Sequence, residues 1–75
     1  MTTKKKRMVE IGALLRKTRI EKGMTQSRLG IECGYKPKTG EVFVGQWENA
    51  VRPVPPAKYR AVAKALGLDL NDLAI

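Results

Sequence analysis

Seventy-five residues, with one cysteine and no histidine, are enough for one domain with one small core and leave no room for a deep substrate cavity. The composition excludes an internal disulfide and a Cys/His zinc site, removes the commonest general base, and offers no run approaching the roughly 18 apolar residues of a membrane span. The net charge of +8 is lopsided, because residues 1–38 carry eleven lysines and arginines against three glutamates while the remainder is balanced at four against four, and a one-sided basic excess suits a phosphate-bearing partner or a solvated surface equally.

Residues 1–7, MTTKKKR, lack apolar periodicity and present Lys4, Lys5, Lys6 and Arg7 in a row. Residues 1–8 are expected to be a disordered basic arm ahead of a folded domain at 9–75. Such an arm can lie along a DNA backbone or in a minor groove, or be a solvated tail, or in a eukaryotic host act as a nuclear-import signal.

From Val9 to Lys22 the spacing of Ile11, Leu14, Leu15 and Thr18 predicts a first helix, stopped by Gly23. Arg19 lies on the inner edge of that stripe, so it should be partly buried and in need of a carboxylate. Thr25 to Cys33 reads as a short second helix with Thr25 as its N-cap, Gln26 at its positive end, and Leu29 and Cys33 facing inward. Gly30 on that apolar face suggests that another backbone comes very close. Cys33 is expected to be a small buried hydrophobe.

Gly34 ends the second helix, and Tyr35-Lys36-Pro37-Lys38 reads as a turn. Thr39 to Asn49 follows, with Thr39 available as a cap. As a helix it turns Val44 and Trp47 inward and leaves Glu41, Val42, Gly45, Gln46 and Asn49 on the other side. The same letters permit a short strand at Glu41 to Val44, because Val and Phe favour extended chain and glycines weaken a helix. Ala50 to Pro55 is a stiff connector with Arg52 exposed, Pro56 to Leu66 a fourth helix burying Tyr59, Val62, Ala63 and Leu66, and Gly67 its stop. Asp69 caps a last short turn holding Leu70 and Leu73.

Five helical pieces, all-α, with a small-residue second helix and an aromatic-anchored third, resemble the Cro and phage-repressor type of helix-turn-helix regulator, the XRE-like or lambda-repressor-like family. The resemblance runs from Ile11 to Leu73, about five-sixths of the chain. It rests on Ile11-Gly12, Leu15 and Arg19, on Met24-Thr25-Gln26, Leu29-Gly30 and Gly34, on Val44-Gly45-Gln46-Trp47-Glu48-Asn49, and on Pro55 and Ala63-Lys64-Ala65-Leu66-Gly67-Leu68. Between Gly34 and Trp47-Glu48 the chain has about four residues more than the usual spacing, so either the turn is longer or the third helix starts early.

The resemblance implies double-stranded DNA as the partner and assigns roles to particular residues. Lys38, Thr39, Glu41, Val42 and Gln46 would read bases. Thr25, Gln26, Lys36, Asn49 and Arg52 would contact phosphates, with Lys4 to Arg7 adding contacts from the arm. Arg19 and Glu48 would pair across the first and third helices. A homodimer on a palindromic operator is the expected assembly, through Leu70, Leu73, Ala74 and Ile75 or assisted by DNA, in a bacterial cytoplasm. No enzymatic activity, metal, cofactor, small-molecule ligand or membrane contact is expected. The alternatives are an antitoxin-like protein-interaction module and a nonspecific nucleic-acid binder.

Overall fold

A computed structural model describes residues 2–75. It contains four α-helices, α1 (Thr3–Glu21), α2 (Gln26–Glu32), α3 (Pro37–Glu48) and α4 (Tyr59–Leu66), and two 3-10 turns, Pro56–Lys58 and Leu70–Asp72. There is no strand among the described residues, so the extended alternative for Glu41 to Val44 falls away. The expected fourth helix opens as a 3-10 turn, and the fifth helical piece is a 3-10 turn closed by the reciprocal Asp69 and Asp72 capping box.

The core gathers Ile11 and Leu15 of α1, Leu29 of α2, Val44 and Trp47 of α3, and Val62 and Leu66 of α4, each at most 4 % exposed. Leu73 joins them at 1 %. That placement corrects its expected role as a dimer contact, because the last 3-10 turn folds it inward and leaves Leu70, Ala74 and Ile75 exposed. Tyr59 is half-buried rather than buried. Cys33 is enclosed, and burial pushes its thiol above the ordinary range despite the nearby Lys58 charge.

α1 starts six residues before the expected Val9, and this is the largest departure from the sequence reading. The segment expected as a disordered arm, Met1 outside the described residues aside, is helical from Thr3. Thr2 caps it by accepting the Lys5 N–H at 3.2 Å. Lys and Arg are good helix formers, yet four positive charges at the positive end of a helix dipole oppose one another and the helix. The turn also makes contacts to distant chain: Lys5 Nζ donates to the Ala50 carbonyl, and the Arg7 guanidinium donates to the Ala74 and Asn71 carbonyls at 2.9 and 3.0 Å.

α3 also begins early, at Pro37, with Lys36 as N-cap and no side-chain capping bond. Thr39 is therefore not the cap but the third residue of the helix. The residues in excess of the usual spacing lengthen α3, while the turn from Cys33 to Lys36 stays tight through the Tyr35 N–H donating to the Gly30 carbonyl at 3.0 Å. Pro at the first helical position forfeits a hydrogen bond that position would lack anyway.

Candidate nucleic-acid interface

α2 and α3 pack with their backbones almost touching. A Cβ built on Gly40 would lie 2.6 Å from Gly30 Cα, and one on Gly30 would lie 2.7 Å from Gly40 C. The reading of Gly30 as a close-approach residue is met, and its counterpart Gly40 is the member that the pattern left unrecognised. Ser27 Oγ reinforces the crossing by donating to the Pro37 carbonyl at 3.2 Å. On the other side of α3, Gly12 of α1 sits against the Trp47 and Glu48 carbonyls, where a Cβ would approach to 2.7 and 2.6 Å.

At the far end of α3 an ion pair fixes three helices. Arg19 Nε and Nη2 donate to the two Glu48 carboxylate oxygens at 2.6 and 3.1 Å, and Arg19 Nη1 donates to the Met24 carbonyl at 2.8 Å. Both side chains are buried, 9 % and 1 % exposed. Gln26 Nε2 donates to the same carboxylate at 3.2 Å. The first residue of α2 is thereby oriented beside the end of α3, with its second amide hydrogen and its carbonyl still to place. The bidentate pair suits a planar guanidinium and a carboxylate better than any Lys pairing would.

With its inner face bound in this way, α3 presents an outer face to solvent. Lys38, Thr39, Glu41, Val42 and Asn49 are exposed, Val42 at 58 %, although it is apolar. Gly45 sits on the same side, where an added Cβ would meet only the Gln26 amide, at 3.8 Å. Gln46 is half-buried rather than outward, and its Oε1 is covered without a hydrogen-bond partner among the described residues. The half-buried Phe43 packs inward on Tyr35, ring centroids 4.9 Å apart, and Lys58 lies 4.6 Å above the Tyr35 ring while donating to the Cys33 carbonyl.

The other sequence candidates lie on α1, at the start of α2 and beyond the two ends of α3. Thr25 caps α2, its hydroxyl accepting the Arg28 N–H at 3.0 Å, and Lys36 and Arg52 are exposed at the two ends of α3. Lys4 and Lys6 are exposed, whereas Lys5 and Arg7 are engaged with backbone carbonyls. The sequence reading passed over Arg28, which is exposed on α2 and bridged to Glu32 at 2.9 Å. Its signal was present, since arginine four residues from glutamate on one helix is a pairing distance.

Two helices meeting through a tight turn, the second with a buried inner face and an exposed outer one, define the helix-turn-helix class of nucleic-acid-binding scaffold. The helix-turn-helix domain family model matches residues 10–74, and the chain belongs to that family. No curated protein and no solved structure matches the chain. The family match points to a DNA-binding regulator, and domains of this family are typically not enzymes. No helix among the described residues is long and apolar enough to cross a membrane.

Proposed function

We propose that the protein is a sequence-specific DNA-binding transcriptional regulator, a repressor of phage or bacterial origin that binds a palindromic operator as a dimer. α3 enters the major groove. The observation that carries this reading is the exposed outer face of α3 at Lys38, Thr39, Glu41, Val42 and Asn49 in a chain of the helix-turn-helix family. Its groups match what base edges offer: Glu41 accepting from cytosine, Val42 against a thymine methyl, and Lys38 and Thr39 at the helix's leading end, with the half-buried Gln46 two-pronged to adenine once its amide turns outward.

Thr25, Gln26, Lys36, Asn49 and Arg52 contact phosphates on either side and fix the register, and the basic start of α1 adds charge. The unpaired Gln46 oxygen supports a base-reading role for that residue. Its Oε1 has no hydrogen-bond partner among the described residues to give up when the amide turns toward a base. Pairing two copies on adjacent half-sites follows from size, since one small module buries only roughly 600 to 1,000 Å² on DNA.

Gln46→Ala tests the reading. Titration should show a loss of about 1 to 3 kcal/mol on the preferred operator and almost none on random DNA. Equal losses on both would mean that Gln46 reads no base.

A further inference from the structure

The first turns of α1 and the last turn of the chain lie side by side, with Lys4, Lys6, Arg7 and Glu10 on one wall of an open groove and Ala74 and Ile75 on the other. Arg7 spans the contact. Its Nε donates to the Ala74 carbonyl at 2.9 Å, and its Nη2 to the Asn71 carbonyl at 3.0 Å with the Asp72 carbonyl at 3.4 Å. These acceptors are 64 to 67 residues away in the chain. Glu10 approaches Nη1 at only 3.7 Å and is more than half exposed, so it adds little.

We infer that Arg7 is a positioning residue that latches the basic N-terminal turn to the C-terminal turn, so that each is ordered by the other and Lys4 and Lys6 are presented from a fixed helix. Neither local signal orders the turn by itself, because its charges repel and its only cap is Thr2. The planar guanidinium reaches carbonyls of three residues at once through two nitrogens, whereas a lysine ammonium in its place is a single point on a flexible stem. The latch occupies Nε and Nη2 of Arg7 and leaves Nη1, beside Glu10, without a carbonyl partner. Its existence does not depend on the DNA-binding reading, although the presentation of Lys4 and Lys6 matters through it.

Amide hydrogen exchange on the full chain without DNA tests the latch, comparing the native protein with Arg7→Ala and Arg7→Lys. Both variants should speed exchange about tenfold or more at the amides of Lys6 to Glu10 and also at Asp72 and Leu73. The amides of α3 should keep their native rates, which shows that the fold survives. Native rates at both ends in Arg7→Ala would overturn the latch. So would native rates in Arg7→Lys, since positive charge and not the fork would then suffice. A failure to bind DNA would be seen only in DNA titrations and leaves this result untouched.

Discussion

Arg19→Ala is expected to cost about 3 to 5 kcal/mol of folding stability, measured by urea denaturation. The Glu48 side chain it abandons is 1 % exposed, and Gln26 alone would remain as its partner. A lone carboxylate in that position lacks both the water it gave up on folding and the charge that replaced it. Small domains hold only about 5 to 15 kcal/mol in total, so this single change removes much of what keeps the chain folded. The pair need not be stabilising relative to an apolar replacement. Arg19→Met combined with Glu48→Leu should therefore recover most of the loss, because neither charge is then stranded. A loss below about 1 kcal/mol for Arg19→Ala would show that the pair is hydrated and not a buried clamp.

Gly40→Ala and Gly45→Ala should shift stability in opposite directions although they lie on the same helix. Alanine gains about 1 kcal/mol over glycine in a helix interior, and Gly45 has the space to accept it, with the Gln26 amide 3.8 Å away. At Gly40 the new methyl would lie 2.6 Å from Gly30 Cα. Backbone cannot turn aside as a side chain can, so α2 and α3 must separate, and overpacking of this kind costs about 1 to 3 kcal/mol or more, exceeding the propensity gain. The expected results are a raised melting temperature for Gly45→Ala and a lowered one for Gly40→Ala. Two increases would mean that the helices have room to part.

Much of this architecture is legible in the sequence where the signal is local. The Ile11, Leu15 stripe, the Thr25 cap and the Trp47 anchor each depend on neighbours within one or two turns. Arg19 announced its need for a carboxylate by lying one turn beyond Leu15, and the family resemblance pointed to Glu48. The N-terminal turn was not legible, because its order comes from Ala50, Asn71 and Ala74, residues that no short window connects to Lys5 or Arg7. Pro37 was ambiguous in another way: proline serves equally in a turn and at the first position of a helix. That ambiguity moved the start of α3, and with it Thr39 changed from a cap to an exposed residue of the helix. Leu73 looked available for a partner because a three-residue turn has no periodicity to reveal which way it faces.

Selection of bound sequences from a random DNA pool, followed by titration of the winner and a scrambled control across a salt series, decides whether α3 reads bases. The expected result is a palindromic winner bound about a thousandfold or more above the control, with the half-site spacing set by the dimer. Failure to enrich any sequence, with binding that vanishes as salt rises, would contradict it and show that the basic surface holds phosphates without α3 reading bases.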